Sequence, residues 1–318
     1  MLRYLLRRLL FALLMVFVVA SVSLLLTRLA PGDFATEAFG LGANPETVAR
    51  ARARYGLDQP ILTQYGVWLD HAAHLDFGTS LLYGRPVAQL IPQRAANTAL
   101  LAFAALALAT FIGLPLGVIT GSRPGRLSGA IRLVSLVTLS MPPLITSLLF
   151  VFIAARTGWF PIGGMASLDV SGLGVVRDLI WHLTLPALAL ALPVAAMFER
   201  LQSQAMAETM AQPFVRAALA RGVPEGRLVW RDALRVAIRP CASVYGLVVG
   251  TLLSGSFVVE IVTAWPGLGR LMYDGLRARD VYLVAGCAAA GAVFLAAGSL
   301  ISDLALALVD PRVRLGED

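Results

Sequence analysis

The sequence predicts an all-α polytopic membrane protein with six transmembrane helices. Three observations support this prediction: 58% of the 318 residues are hydrophobic, only 14% are charged, and uncharged runs of membrane length recur along the chain. A soluble domain carries about 25% charged residues, whereas a run of ~20 apolar residues is long enough to cross the hydrocarbon core of a bilayer. The mean hydropathy of +0.77 agrees with this fold class.

The basic residues exclude several kinds of protein. All 26 are arginines, so the chain has a net charge of +7 and no lysine. A Walker A loop and a Schiff-base enzyme both need a lysine, and no other catalytic sequence pattern is visible. The arginines flank the apolar runs, which favours contact with anionic lipid and control of topology over nucleic-acid binding. Cys241 and Cys287 lie in or beside apolar runs and are interpreted as unpaired core residues.

Residues 1–30 are predicted to form an N-terminal segment and the first span, about Leu9 to Leu26. A secretory signal peptide is the alternative, but the run is long for one and no small-residue cleavage site follows it. Residues 31–96 are too polar and too long for a turn, and we expect an external cap region with helices near 46–55 and 64–74.

The core region, residues 97–310, is predicted to hold the other five spans, and residues 311–318 form a cytoplasmic tail. Pro115 is expected to kink the second span, and Met141-Pro142-Pro143 to break the third near mid-membrane. Six spans place both termini on one side, and the arginines at both ends predict that this side is the cytoplasm. The five spans are expected at about 97–120, 131–155, 180–197, 242–264 and 281–309.

An alanine-rich amphipathic insert, residues 205–240, separates the fourth and fifth spans. Our hypothesis is that it docks a soluble partner on the cytoplasmic face. Ala217, Ala218 and Ala220 permit close approach of another protein, and Gly222 permits a left-handed helix end. A helix lying on the lipid surface is the alternative, but it would need a stripe of large apolar residues.

Polar or helix-breaking residues within the spans are candidates for lining a translocation path, with close helix packing or a simple kink as the alternative. These candidates are Met141, Pro142, Thr251, Ser254 and Ser256.

Two acidic residues are predicted at membrane depth, Glu260 and Asp303. Such residues are often functional, but we interpret both as structural charges, with Arg270 or Arg279 as a possible partner for Glu260. His71 and His74 are three residues apart, and no metal site is predicted because two histidines without further ligands do not make one.

Phe214-Val215-Arg216-Ala217-Ala218-Leu219-Ala220-Arg221-Gly222 resembles the coupling motif of ATP-binding-cassette (ABC) importer permeases of the dipeptide/oligopeptide, nickel and glutathione family. The resemblance covers nearly the whole chain, although Leu219 stands where this family usually has a basic residue. The other matching segments are Leu29-Ala30-Pro31-Gly32-Asp33, Tyr55-Gly56-Leu57-Asp58-Gln59-Pro60, Gln64-Tyr65, Asp76-Phe77-Gly78-Thr79-Ser80, Pro86-Val87, Asn97-Thr98, Pro115-Leu116-Gly117, Val259-Glu260, Trp265-Pro266-Gly267-Leu268-Gly269-Arg270-Leu271, Arg279-Asp280 and Asp310-Pro311-Arg312-Val313-Arg314.

The resemblance implies a type I ABC importer permease fold of the first permease subunit type, with a large external loop after helix 1. It implies a multi-pass protein of the bacterial inner membrane that binds no cofactor itself. The implied partners are a second, homologous permease, two ATPase subunits that bind ATP and Mg²⁺, an external solute-binding protein and the lipid bilayer. The ATPase-coupling residues that it implies are Phe214, Arg216, Ala217, Ala218, Ala220, Arg221 and Gly222.

The expected function is that of a permease subunit for peptides or related small solutes, forming half of the translocation path. The alternative is an ion-coupled secondary transporter without an ATPase, which would need buried ionisable relays. An intramembrane enzyme is a third alternative, but the chain offers no nucleophile and base pair.

Overall fold

The computed structural model describes residues 2–40, 44–74, 76–167, 172 and 174–309, and these are mostly helical. The first seven helices are α1 Leu2–Leu29, α2 Phe34–Phe39, α3 Pro45–Arg54, α4 Ile61–Ala73, α5 Val87–Ser122, α6 Arg126–Ser140 and α7 Pro143–Thr157. The remaining helices are α8 Gly174–Met210, α9 Pro213–Ala220, α10 Glu225–Arg227, a π-helix Leu228–Ala233, α11 Leu234–Ala237, α12 Arg239–Gly255, α13 Phe257–Val262, α14 Leu268–Arg277 and α15 Val281–Val309.

The prediction of an all-α membrane protein is confirmed. Within the described part of the chain, five helical stretches are long and apolar enough to cross a membrane. Helices α6 and α7 meet at an angle of 103°, and they make a sixth span if this bent pair is counted as one. The five stretches are Leu6–Leu29, Val87–Ser122, Gly174–Met210, Arg239–Val262 and Val281–Leu300.

The helices divide into two compact units. The first contains Met1–Thr98 and Pro266–Ala296, and the second contains Ala99–Trp265 and Ala297–Asp318. The cap region therefore shares a unit with the first span and with the start of α15. The sequence alone predicts it as a separate region, residues 31–96.

In the first unit, α4 packs on α1 through the buried side chain of Trp68. This side chain lies against Ala20 and Leu24 of α1 and against the α15 residue Ala285. The hydroxyl of Tyr65 also donates a hydrogen bond to Ser21 Oγ, at 3.0 Å. The amphipathic second piece of the cap is thus a helix whose apolar face covers the first span.

Asp33 begins α2 and ties it to α3. Its carboxylate accepts hydrogen bonds from the Thr36 backbone N–H at 2.8 Å and from Arg52 Nε at 2.6 Å. Partial burial alone would raise the pKa of Asp33, but the hydrogen bonds from Thr36, together with Arg52, outweigh burial and hold the pKa below its ordinary value. The carboxylate therefore stays charged at neutral pH and caps the helix.

Asp280 has the same role at the start of α15 and is fully buried. Ser80 Oγ and the Leu82 backbone N–H donate to its Oδ2 at 2.6 and 3.1 Å, and the Leu283 backbone N–H donates to its Oδ1 at 3.1 Å. One carboxylate thus holds the loop before α5 against the first turn of α15.

We expect the Asp280→Ala substitution to lower the free energy of unfolding by about 2–3 kcal/mol. It removes the carboxylate that accepts the hydrogen bonds from Ser80, Leu82 and Leu283. Reversible unfolding of the purified chain in SDS mixed micelles measures the loss. The matched control is Asp274→Ala on α14, where the carboxylate receives one long hydrogen bond from Tyr83 at 3.4 Å. A loss no larger than that of the control would contradict the role assigned to Asp280.

The second unit is built around α8, which packs against α6, α7 and α12. Helix α5 lies on it through a row of glycines, Gly113, Gly117 and Gly121. A Cβ added at Gly117 would lie 2.6 Å from Gln202 Cβ and 2.7 Å from the Glu199 carbonyl oxygen. The two backbones therefore touch, as small residues permit in membrane helices.

Candidate coupling segment and translocation path

The insert predicted at 205–240 contains the end of α8, the short helix α9 and its closing turn, then α10, the π-helix, α11 and the first residues of α12. Pro213 occupies the first turn of α9, where its missing N–H costs nothing. Gly222 has φ +81°, and the Val223 N–H returns to the Ala218 carbonyl at 3.1 Å. The predicted left-handed helix end at Gly222 is present, and it closes α9 after two turns.

The side chains of α9 divide into two faces. Val215 and Ala218 are buried with Leu228 of the π-helix. The other predicted coupling residues are exposed: Phe214, Arg216, Ala217, Ala220, Arg221 and Gly222. Ala218 therefore supports the helix from behind and is not part of the exposed face.

Leu219 lies on this exposed face beside the predicted residues. It is 47% exposed, and Phe214 is 37% exposed. Large apolar side chains that stay exposed beside arginines are typical of a protein-binding surface. We call Phe214, Arg216, Ala217, Leu219, Ala220, Arg221 and Gly222 the α9 face.

The π-helix joins α9 to the spans. Its residues Val229 and Ala233 are buried against Val118 of α5 and Met206 of α8. Arg123, in the turn after α5, forms an exposed ion pair with Glu225 of α10, with Nη2 and Oε1 2.9 Å apart. The α9 face is therefore carried on a segment that packs directly on two long helices.

Met141 and Pro142 lie at the break between α6 and α7, as expected, and Met141 is half-buried. Thr146, one turn into α7, donates from its hydroxyl to the Pro143 and Ala189 carbonyls at 3.0 and 3.3 Å. The Pro143 carbonyl near the break thus has a partner within the protein, and Thr146 also links α7 to α8.

Thr251 and Ser256 differ in their surroundings. Thr251 is exposed on α12, and its hydroxyl donates to the Val248 carbonyl at 2.9 Å. Ser256 is buried and donates to Glu260 Oε1 at 2.9 Å. The side chain of Ser254 lies outside the described residues. Of Thr251 and Ser256, Thr251 is the one placed where it can face solute or lipid.

The predicted structural charges lie in three different helices. Glu260 is fully buried in α13 and accepts the Ser256 hydrogen bond, which agrees with a structural role. Arg270 lies in α14 and is half-buried. Asp303 falls within α15, but its side chain lies outside the described residues, as does the whole tail 311–318.

His71 and His74 have ordinary partners. His71 Nδ1 lies 3.2 Å from Asp76 Oδ2, and His74 Nδ1 lies 2.9 Å from the Asp70 carbonyl oxygen. Among the described residues, no group of three or more histidine, cysteine, aspartate or glutamate side chains could hold a metal ion. Cys241 and Cys287 are both buried, as predicted for core residues.

A buried polar cluster on α8 is a feature that the sequence analysis missed. Glu199 is 1% exposed; its Oε1 accepts a hydrogen bond from Thr120 Oγ1 at 2.5 Å, and its Oε2 has no hydrogen-bond partner among the described residues. Gln202, one turn further along, is fully buried, and neither polar atom of its amide has a partner in the described part of the chain. Arg132 of α6 donates to the Thr120 carbonyl at 2.7 Å and to Ser203 Oγ at 3.3 Å.

The sequence did carry a signal for this cluster. Glu199 and Arg200 directly follow an apolar run, just beyond the predicted fourth span, 180–197. The structure continues α8 to Met210 and buries Glu199 in the side of the helix that faces α5.

Two family models match this chain. The inner membrane component of binding-protein-dependent transport systems matches residues 113–315, and the N-terminal part of such membrane components matches residues 1–102. The chain belongs to this permease family. Its long apolar helices and the family match make it a multi-pass inner-membrane permease, and the predicted resemblance to ABC importer permeases is confirmed.

Three curated relatives show how far the similarity extends along this permease. The oligopeptide transport system permease protein AppB of Bacillus subtilis is 33% identical over 313 residues, 98% of each chain. The oligopeptide transport system permease protein OppB of Mycobacterium bovis is 35% identical over 327 residues, 99% of this chain and 100% of that one. A putative peptide transport system permease protein of Brucella abortus is 37% identical over 300 residues, 93% of this chain and 94% of that one.

The permease is also similar to a chain of the MetNI methionine ABC transporter, solved in inward-facing conformations. The TM-score is 0.54 at 18% identity, and the match covers 70% of this chain and 97% of that chain. At this identity the likeness concerns the fold, and it confirms the predicted type I importer permease fold.

Proposed function

We propose that this permease forms half of the translocation path of an ATP-driven importer for peptides or related small solutes. Similarity to peptide permeases over nearly the full length of the chain supports the solute class. The observation that carries the mechanism is the α9 face, which leaves Phe214 and Leu219 exposed beside two arginines.

The proposed partners follow from this surface and from the family. A second, homologous permease completes the path, two ATPase subunits bind ATP and Mg²⁺, and an external binding protein delivers the solute. The α9 face docks in a groove of one ATPase. In this arrangement both termini and the α9 face lie on the cytoplasmic side of a bacterial inner membrane.

Coupling would act through the packing behind α9. When ATP closes the ATPase pair, the docked α9 is displaced. Val215 and Ala218 pass the displacement to Leu228, and Val229 and Ala233 pass it to α5 and α8. The spans then exchange an inward-open for an outward-open arrangement, and the differential affinity of the ATPase pair for the two arrangements supplies the free energy.

Reconstitution tests this proposal. The chain is placed in proteoliposomes alone or with the gene products encoded beside it, and uptake of a labelled dipeptide is measured with ATP or with an ion gradient. We expect uptake only in the assembled complex and only with ATP. Uptake by the chain alone, driven by an ion gradient, would instead establish the secondary-transporter alternative.

A further inference from the structure

A cleft of about 560 Å³ opens between α6 and α8, just before the chain enters α9. Its charged lining residues are Glu199, Arg132 and Arg200. Ser203 and Gln204 add a hydroxyl and an amide. The cleft lies within one compact unit, and none of these residues belongs to the α9 face.

Among the described residues, the acidic side of the cleft lacks a hydrogen-bond donor. Glu199 is 1% exposed, and the contact with Thr120 accounts for only one of its two oxygens. A buried carboxylate oxygen without a donor costs the desolvation free energy of that group. Oε2 itself is closed to solvent, so a protonated amine reaches it only when a side chain that lines the cleft moves aside, and the amine then supplies the missing donor.

The basic side is incomplete as well. Arg132 donates to a backbone carbonyl and a hydroxyl, and no carboxylate among the described residues lies within ion-pair distance of Arg132 or Arg200. A guanidinium is well suited to bind a carboxylate, often through two parallel hydrogen bonds. Both arginines are exposed, so a ligand can reach them.

The combination selects the class of ligand. A simple cation would meet two arginines, and a simple anion would leave Glu199 Oε2 without a donor. A molecule with both charges satisfies the two sides together. We propose that the α6–α8 cleft binds a solute carrying a protonated amine and a carboxylate, the chemistry of a free amino acid or a short peptide, with the amine on Glu199 and the carboxylate on Arg132 and Arg200.

This inference deepens the proposed function and rests on it for the identity of the solute. In the proposed orientation the cleft lies close to the cytoplasmic α9. It would hold either the transported solute or a cytoplasmic solute that regulates uptake. Both sources share the amine and carboxylate chemistry, and the uptake measurements below separate them.

The test measures equilibrium binding to the full-length chain in phosphatidylglycerol nanodiscs. L-alanyl-L-alanine is the probe, N-acetyl-L-alanyl-L-alanine lacks the amine, and L-alanyl-L-alaninamide lacks the carboxylate. We expect the dipeptide to bind, and each analogue to bind about ten- to hundredfold more weakly. Glu199→Gln preserves shape and the Thr120 contact, and it should weaken dipeptide binding to the same extent, as should Arg200→Gln.

The matched control is Glu225→Gln, which makes the same chemical change at an exposed ion pair. It should bind the dipeptide like the wild type. Absence of saturable dipeptide binding, equal binding of the acetylated analogue, or unchanged binding by Glu199→Gln would each overturn the proposal. Displacement of the dipeptide by phosphatidylethanolamine in the nanodisc would assign the cleft to a lipid headgroup and would also overturn it.

Uptake by the assembled transporter then shows whether the cleft holds the transported solute or a regulatory one. If Glu199→Gln lowers ATP-driven uptake, the cleft holds the transported solute. If it leaves uptake unchanged but removes inhibition by dipeptide added on the α9 side, the cleft is regulatory. The binding test needs no ATPase. Dipeptide binding without ATP-driven uptake would therefore refute the proposed function and leave the proposed binding cleft intact.

Discussion

Replacing Gly222 with arginine is expected to abolish ATP-driven uptake while the chain still inserts into the membrane. Gly222 has φ +81°, which residues with a Cβ rarely adopt, and it lies at the exposed end of α9. An arginine there would strain the turn and project a long side chain from the surface proposed to dock. Loss of central interface contacts costs about 2–4 kcal/mol, so uptake and solute-stimulated ATP hydrolysis should fall to about 3% of wild type or below.

Gly226→Arg is the matched control. Like Gly222, Gly226 is exposed, and a Cβ at either position would have no atom within 4 Å. Gly226 differs in lying within α10 without a positive φ. Gly222→Ala introduces the same backbone strain but adds only a methyl group, so the difference between the two variants measures the effect of the long arginine side chain. Solute-stimulated ATP hydrolysis at the wild-type level in Gly222→Arg would count against the docking role of α9.

The second large effect is expected at Gly117, where leucine should prevent the chain from folding. The Cβ alone would lie within 2.7 Å of the Glu199 carbonyl oxygen, an atom of the α8 backbone that cannot turn aside. Gly117→Ala should therefore lower the free energy of unfolding by about 1–3 kcal/mol. Gly117→Leu should leave no monodisperse protein in detergent extracts analysed by size-exclusion chromatography.

Gly129 supplies the control for helix propensity. It lies in α6, and a Cβ there would have no atom within 4 Å. Gly129→Ala should be neutral, or should stabilise the helix by about 0.5–1 kcal/mol, because alanine is the better helix former. If Gly117→Ala unfolds at the same SDS concentration as Gly129→Ala, then α5 and α8 do not pack through glycine as described.

Hydropathy and proline were sufficient to predict most of the architecture. The apolar runs located the spans, and Pro142 with Pro143 located the break between α6 and α7. The runs did not predict how far the helices continue. Helix α5 begins at Val87, ten residues before the predicted span, and α8 continues to Met210. Polar residues such as glutamine and arginine form helix readily, so a helix can extend well beyond its apolar window.

The candidate site was only partly predictable for a different reason. Gly222 and the alanines can be found from local sequence, and the structure leaves Gly222, Ala217 and Ala220 exposed but buries Ala218. The burial of Ala218 depends on Leu228, ten residues later, and the environment of Glu199 depends on Thr120. Such contacts join residues far apart in the chain, and no local pattern records them. For the same reason, Glu260 and Asp303 were considered as buried acids while Glu199 was missed.

The π-helix at Leu228–Ala233 matters for anyone who exchanges coupling segments between permeases. A π-turn contains more residues than an α-turn. Since each residue of an α-helix turns the chain by about 100°, the additional residue changes which side of the following helix faces its neighbour. Chimaeras that omit this extra winding would present a different side of α12 to α8. Cys241, which contacts the Phe198 carbonyl oxygen, and Tyr245, which stacks on the Phe198 ring, would then rotate away from α8. A functional graft must therefore match the helical phase as well as the contact residues.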